Sequence, residues 1–358
     1  MKVKLEDVCE INMGQSPDSA SYNDKNEGLP FYQGNADFGE IHPKTRIWCS
    51  MPIKKAKYGD ILISVRAPIG ALNIADKDCC IGRGLAALTP ITDKINGDYL
   101  YYVLKSKVAE LNSKGTGSTF KAISKKILEE TLLPSMSLDE QEKIVSQLKK
   151  LSHLLILRQQ QLEKLDLLVK SRFVEMFGDP ILNDKNWNTK MLPDTGICKN
   201  GMNFSSKDTG ISINCLGVGD FQDHCIIENL SNLLTVSLSE MPSEDYLLKD
   251  GDIIFVRSNG NKELVGRCVT LFPGNLPVTF SGFCIRYRKT IDALNTMFLL
   301  YLFKSKTVRQ KMAGRGANIQ NLNQQILGQI PIIMPPLELQ NKFASFVQQV
   351  DKSKFSLL

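Results

Sequence analysis

Hydrophobic positions recur in strict 4-3 alternation over a long stretch that follows Pro134. This spacing is typical of a helix that packs along one seam against another helix. Ser137 stands three residues before Glu140, as in a capping box, and Gly178 precedes Asp179-Pro180. We therefore predict a helix over 137–178, roughly 60 Å long at 1.5 Å per residue. Its predicted seam consists of Ile144, Leu148, Leu151, Leu155, Leu162, Leu165 and Val169, with Arg158 as the one polar member.

Three segments of the chain occur twice, in the same order. FYQGNADF (31–38) matches NCLGVGDF (214–221) at an offset of 183 residues, and the segment from Tyr58 matches that from Asp250 at 192. The segment from Gly115 matches that from Gly314 at 199, without gaps to Leu358. Because insertions in loops increase such offsets along the chain, these matches indicate a duplicated unit of about 190 residues.

Each repeat begins with a mixed α/β part. Short β-branched runs follow a Gly-Asp turn and predict strands at 60–65 and 252–256, and helical patterns cover 99–111 and 297–312. A second, shortened seam helix is predicted from Phe343, Val347, Val350 and Leu357. The predicted organisation is a first domain at 1–136, a long helix at 137–178, a second domain at 179–335 and a short helix at 336–358.

Composition places the chain among ordinary globular proteins. It is 42% hydrophobic and 23% charged, with a net charge of +6 and a pI of about 8.7, which permits a polyanionic partner. No run of about 18 apolar residues is present, so no membrane partner is expected. The nine cysteines form no CxxC pair, which favours reduced thiols in a cytoplasmic protein and gives no sign of a metal site.

Motifs for catalysis are missing from the sequence. There is no GxxxxGK[ST] phosphate loop, and the three histidines lie in three separate segments. Pro335-Pro336 is followed by Leu337, not by the tyrosine of an amino-methyltransferase motif. A duplicated, mildly basic chain of this kind suggests a non-catalytic recognition scaffold.

The chain resembles the specificity subunit of type I restriction-modification systems. The matching stretches are GDILISVRAPIG (59–70), GSTFKAISKKILEETLLPSMSLDEQEKI (117–144), SRFVEMFGDP (171–180), GDIIFVRSNGN (251–261) and IPIIMPPLELQNKFASFV (330–347). The resemblance implies two tandem target recognition domains, each reading half of a split sequence of double-stranded DNA. It also implies that the two long helices pair in antiparallel fashion, set the gap between the half-sites and bind methyltransferase subunits, two in number.

In such a complex, the methyltransferase subunits hold S-adenosylmethionine and a separate restriction (motor) subunit joins for cleavage. The chain itself would then need no cofactor and no metal. Two other functions remain open at this point: a coiled-coil adaptor that binds only proteins, and the recognition part of a fused restriction-modification enzyme.

Candidate DNA contacts follow from the chemistry of the loops, because Arg and Lys read guanine or phosphate and Asn and Gln read adenine. In the first repeat they are Gln15, Ser16, Asn35, Arg66, Arg83, Lys114, Thr116, Ser118, Thr119 and Lys121. In the second repeat they are Asn203, Ser205, Lys207, Arg257, Ser258, Asn259, Lys262, Arg315, Asn318, Gln320 and Asn321. Two alternatives stay open: a salt bridge at a strand end for Arg66, and a plain linker for 114–119.

Overall fold

The computed structural model describes residues 1–117, 121–204, 210–221, 225–313 and 321–357, with the backbone alone for Lys262 and Ala313. Contacts divide the chain into two compact units, Met1–Ile156 (unit 1) and Leu157–Leu358 (unit 2). This division falls inside the long helix, whereas the sequence prediction placed domain boundaries at the two ends of that helix. The predicted mixed class of helix and sheet is confirmed.

Unit 1 consists of short strands and short helices, followed by the start of the long helix. In chain order they are β1 (Lys2–Lys4), α1 (Leu5–Val8), β2 (Cys9–Met13), β3 (Tyr22–Asn23), β4 (Leu29–Tyr32), β5 (Trp48–Cys49), β6 (Lys55–Ala56), β7 (Ile61–Ser64), β8 (Leu72–Ile74), β9 (Cys79–Ile81), β10 (Leu85–Pro90), α2 (Gly97–Ser106), α3 (Val108–Ser113), α4 (Lys125–Glu129), β11 (Leu132–Pro134) and α5 (Leu138–Phe177), which continues into unit 2.

Unit 2 follows a similar order, with ten strands among its described residues against eleven in those of unit 1. Its elements are β12 (Thr189–Met191), β13 (Gly196–Asn200), β14 (Ile211–Leu216), β15 (Ile226–Ile227), β16 (Leu234–Leu238), β17 (Ile253–Val256), β18 (Cys268–Leu271), β19 (Val278–Phe280), β20 (Cys284–Lys289), α6 (Thr296–Lys304), α7 (Lys306–Ala313), α8 (Gln324–Gly328), β21 (Pro331–Ile333) and α9 (Leu337–Phe355).

The central sheet of unit 1 has the order β2-β10-β7-β8, with every pair antiparallel. Side chains alternate between its faces. Ile61, Ile63 and Leu88 pack among the helices, while Leu62 and Ala87 pack against a second sheet, β3-β5-β4-β9-β6. Both faces of the central sheet are therefore covered, which explains why its two inner strands, β7 and β10, are mostly apolar.

Unit 2 has the corresponding sheet, β13-β20-β17-β18-β15, with the additional β15 parallel to β18. Ile253 and Phe255 pack among the helices, and Ile254 and Val256 pack on the opposite face. A three-stranded sheet, β16-β14-β19, completes the unit. One parallel pair is common to both units, β4 with β9 in unit 1 and β14 with β19 in unit 2.

The repeated Gly-Asp motif fixes where β7 and β17 begin. Gly59 and Gly251 adopt positive φ angles of 86° and 81°, which favour glycine. The buried carboxylates that follow close the turn, because Asp60 accepts the Lys57 N–H at 2.8 Å and Asp252 accepts the Lys249 N–H at 2.8 Å. The strands predicted from this motif are confirmed.

A buried glutamine on each seam helix holds the start of a helix in its own unit. Gln141 Oε1 accepts the Asn96 N–H at 2.8 Å, where Asn96 caps α2. Gln340 Oε1 accepts the Asn295 N–H at 2.8 Å, where Asn295 caps α6, and its Nε2 donates to the carbonyls of Ala293 and Pro335. The same polar contact therefore joins helix and domain in both repeats.

The long helix α5 begins and ends where the sequence predicted. Ser137 Oγ accepts the Glu140 N–H at 3.4 Å while Glu140 Oε2 accepts the Ser137 N–H at 2.9 Å, which is a complete capping box. The helix ends before Gly178, which has a φ of 73°. The predicted span is confirmed.

Within unit 2, α9 packs in antiparallel orientation on the last turns of α5. The ring of Phe343, near the start of α9, lies 5.6 Å from the ring of Phe177, while Lys354 near its end donates to Asp166 at 2.6 Å. Burial alone would lower the pKa of Lys354, but its hydrogen bonds with Asp166 and Asp351 raise the pKa above the ordinary value. Four of the predicted seam positions are buried here: Val169, Phe343, Val347 and Val350.

The other predicted seam positions are less buried. Leu162, Leu165 and Leu357 are half-buried, and so are Ile144 and Leu148 in unit 1. Leu151 and Leu155 were predicted to contact the second helix, yet 56% and 70% of their surfaces are exposed. The reason is geometric, because α9 already lies beside Asp166 at Lys354 and ends at Phe355.

Replacing Gln340 by Ala is expected to destabilise unit 2 by about 3 kcal/mol, since it leaves a buried N–H and two carbonyls without partners. The measurement is the urea midpoint followed by Trp187 fluorescence in a Trp48→Phe background, because the chain has two tryptophans. Gln348→Ala, an exposed change on the same helix, is the matched control and should shift the midpoint little. Equal midpoints for the two variants would contradict the role assigned to Gln340.

Candidate nucleic-acid interface

Three segments of unit 1 meet beyond the carboxyl end of β7. The Val65 N–H donates to the Gly84 carbonyl at 2.9 Å, and the Val65 carbonyl accepts the Ile123 N–H at 2.9 Å. Arg66 forms a β-bridge with Ala122. The loop after β7, the segment before β10 and the segment before α4 are therefore held side by side by main-chain groups.

Predicted contact residues of the first repeat gather at this edge. Ser16 Oγ accepts the Arg83 N–H at 3.3 Å, which brings the loop after β2 to the segment before β10. The Lys121 carbonyl accepts the Ala67 N–H at 3.1 Å, one residue beyond Arg66. The side chains of Arg66, Arg83 and Lys121 are exposed, and within the described residues none of them makes an ion pair. Arg66 was interpreted as either a DNA contact or a salt bridge at a strand end, and the described contacts show no salt bridge for it.

Four other predicted residues of the first repeat are described: two lie at this edge, one forms an ion pair and one lies in a neighbouring turn. Gln15 is exposed beside Ser16, and Thr116 bridges with Ala122. Lys114 donates to Glu110 at 2.7 Å, and hydrogen bonds from Lys107 and Lys114 lower the pKa of Glu110 to about 2. The remaining residues are Asn35, half-buried in the turn whose Gly34 adjoins Gly84, and Ser118 and Thr119, which lie outside the described residues.

Unit 2 builds the same main-chain arrangement beyond β17. The Arg257 N–H donates to the Phe283 carbonyl at 2.8 Å, and the Arg257 carbonyl accepts the Leu322 N–H at 2.7 Å. Ser258 forms a β-bridge with Asn321. Arg257 thus occupies the position of Val65, and Ser258 that of Arg66, in agreement with the offset of 192 residues.

A cavity of about 350 Å³ lies within this arrangement. Four of the predicted contact residues line it, and Arg257 uses one of its five N–H donors, at Nη1, on the Gly282 carbonyl at 3.3 Å. The cavity is lined by Asn203, Arg257, Ser258, Gly282, Phe283, Asn321, Leu322 and Asn323.

Of the other predicted residues of the second repeat, Asn259 alone has a described side chain, and it does not line the cavity. Asn259 Oδ1 accepts the Asn261 N–H at 2.8 Å, so this side chain supports its own loop. The side chain of Lys262 is not described, and Ser205, Lys207, Arg315, Asn318 and Gln320 lie outside the described residues.

Sequence reasoning missed Phe283. Its ring is 62% exposed beside three polar side chains, and it belongs to no hydrophobic cluster of the described chain. A signal was present, since Phe283 stands 199 residues after Gly84, at the offset of the third repeat. The contacts predicted from the sequence comprise polar residues alone.

No group of three or more His, Cys, Asp or Glu side chains in the described ranges is arranged to hold a metal ion. All nine cysteines are free, and burial raises the pKa of several of them, Cys9 and Cys268 included, to about 12. Across the same ranges, no helix combines the length and the apolar character that crossing a membrane requires.

Two curated relatives come from Methanocaldococcus jannaschii. The chain is 41% identical over 161 residues to the putative type I restriction enzyme MjaX specificity subunit, an alignment that covers 45% of this chain and 38% of that protein. It is 25% identical over 316 residues to the type I restriction enzyme MjaIX specificity subunit, covering 81% and 70%. The chain thus spans well under half of the first relative and about two thirds of the second.

A solved structure, the S subunit of a type I restriction-modification system from M. genitalium, covers the whole chain. The match includes 90% of that structure at 16% identity with a TM-score of 0.56, which shows a shared fold. A family profile described as "Type I restriction modification DNA specificity domain" matches residues 1–167 and 185–358. Because these ranges include nearly all of both units, the chain belongs to the family of type I restriction-modification specificity subunits.

Proposed function

We propose that the chain reads a two-part sequence of double-stranded DNA, with unit 1 contacting one half-site and unit 2 the other. The observation that carries this proposal is the repeated main-chain arrangement beyond β7 and β17, which presents different side chains in the two units. Unit 1 presents Arg66, Arg83 and Lys121, and unit 2 presents Arg257, Asn203 and Asn321. Two similar main-chain arrangements that present different side chains suit two half-sites of different sequence.

The side chains suit duplex DNA more than a protein surface. Guanidinium groups donate to the O6 and N7 atoms of guanine, and side-chain amides pair with the N6 and N7 atoms of adenine. Lysine ammonium groups contact phosphates and make affinity depend on salt. A salt-dependent gel shift with duplex DNA therefore separates this proposal from an adaptor that binds only proteins.

The middle of α5 is proposed to bind a methyltransferase subunit, and the chain is proposed to take two such subunits and a restriction subunit. Leu151, Leu154, Leu155 and Ile156 form an exposed apolar stretch within unit 1. Water-exposed leucines at this density are costly, and burial against another protein would remove the cost. The methyltransferase subunits, and not this chain, would bind S-adenosylmethionine and modify adenine.

A methylation assay distinguishes a specificity subunit from part of a fused enzyme. The purified chain with S-adenosylmethionine and duplex DNA is expected to transfer no methyl group, because the transfer chemistry is assigned to a partner. Adding the partner methyltransferase should restore transfer at one specific sequence. Transfer by the chain alone would show that it carries an active site of its own.

Replacing Arg257 by Ala is expected to weaken binding to the specific duplex by about 1–3 kcal/mol, if its guanidinium reads a guanine. Competition with duplexes altered at single positions should show that discrimination is lost at one base pair. Arg172→Ala is the matched control, since Arg172 pairs with Glu175 on α5 at 2.8 Å. An unchanged sequence preference and an unchanged salt dependence in Arg257→Ala would remove this residue from the interface.

Replacing Leu151 and Leu155 together by Asp is expected to abolish co-purification with the methyltransferase. The change should leave the melting temperature nearly unaltered, because both side chains are already exposed. Leu167→Asp is the control, an equally exposed leucine of the same helix outside the stretch. Full retention of the methyltransferase by the double variant would refute docking at this surface.

A further inference from the structure

Phe283 occupies a main-chain position at which the fold requires no side chain. The Phe283 carbonyl accepts the Arg257 N–H at 2.8 Å, and in unit 1 the Gly84 carbonyl accepts the Val65 N–H at 2.9 Å. The two positions are equivalent, yet one holds a phenylalanine and the other a glycine. The aromatic ring is therefore not needed to form this part of the unit.

The ring of Phe283 is not used for packing either. It remains 62% exposed, although the main chain that carries it is hydrogen-bonded. Its carbonyl also accepts the Ser258 N–H at 3.4 Å, and its N–H donates to Ser281 Oγ at 3.3 Å. A large apolar group is thus exposed to water from an ordered main chain, which is unfavourable unless a ligand covers it.

The neighbours of Phe283 indicate what that ligand presents. The side chains of Asn203 and Asn321 are exposed and line the same cavity, together with the guanidinium of Arg257. Amides match the adenine edge in the major groove of DNA, and an apolar side chain matches the 5-methyl group that thymine alone carries there. An apolar ring among amides therefore suits an A·T base pair.

We propose that Phe283 recognises the methyl group of a thymine in the half-site read by unit 2, with Asn203 and Asn321 placed to read the paired adenine. This inference rests on the proposed function, that unit 2 reads duplex DNA. It adds the chemical identity of one base pair and the residue that selects it.

Unit 1 cannot make the same contact. A Cβ atom on Gly84 would lie 2.4 Å from the Gln33 carbonyl oxygen, so no side chain fits there. The preceding residue is Arg83 in unit 1 and Gly282 in unit 2. At this edge unit 1 presents a guanidinium where unit 2 presents an aromatic ring, so the two half-sites differ at the corresponding base pair.

Deoxyuridine substitution tests the contact, because uracil lacks the methyl group of thymine and keeps its hydrogen bonds. A duplex is first selected by the full-length protein, with its methyltransferase partner, from a random-sequence library. Each selected thymine is then replaced singly by deoxyuridine. At one position the wild type should bind about fourfold more weakly, the ratio that burial of one methyl group gives. The Phe283→Ala variant should bind the two duplexes equally.

The ratio between the two duplexes is internal to each protein, so a general loss of affinity in the variant cancels. Phe283→Leu should keep part of the preference. Phe272→Ala is the matched control, because Phe272 is also an exposed phenylalanine, at 49%. It follows β18, whose last residues pair with the start of β17, and so lies at the opposite end of these strands from Phe283. It should retain the full preference.

Three results would overturn the inference: a selected sequence with no fixed thymine, no effect of any deoxyuridine on the wild type, or an equal effect in Phe283→Ala. Failure of the proposed function looks different. In that case the library yields no preferred sequence at all.

Discussion

The proposed recognition surface of each unit depends on one residue that follows the central strand and hydrogen-bonds through both of its main-chain groups. Val65 in unit 1 and Arg257 in unit 2 each donate to the segment before β10 or β20 and accept from the segment before α4 or α8. Main-chain groups do not depend on the side chain that accompanies them. This main-chain arrangement can therefore stay constant while its side chains change, which is the property that recognition of different DNA sequences requires.

The parts of the fold that the sequence predicted are those set by local contacts. The capping box of Ser137 and Glu140 spans three residues, and the turn closed by Asp60 spans three as well, so both can be read from the chain. The contact of Ser16 with Arg83 joins residues 67 positions apart, and sequence spacing carries no information on it. The sequence could therefore propose candidate residues but could not group them.

Two differences between prediction and structure have physical causes. The periodic seam predicted a partner for Leu151 and Leu155, but periodicity reports which face of a helix is apolar and not what covers it. Phe283 was overlooked because an aromatic residue at a strand end usually belongs to a core. Phe283 directly precedes β20, which pairs with β17, and only the structure shows that it is exposed there.

Sequencing of methylated bases in the genome of cells that carry this chain and its methyltransferase partner tests the central claim most directly. The account predicts adenine methylation within a motif of two short specified parts separated by a gap of fixed length and free sequence, and its loss when the chain is deleted. Methylation that continues without the chain, or one uninterrupted motif, would contradict the account.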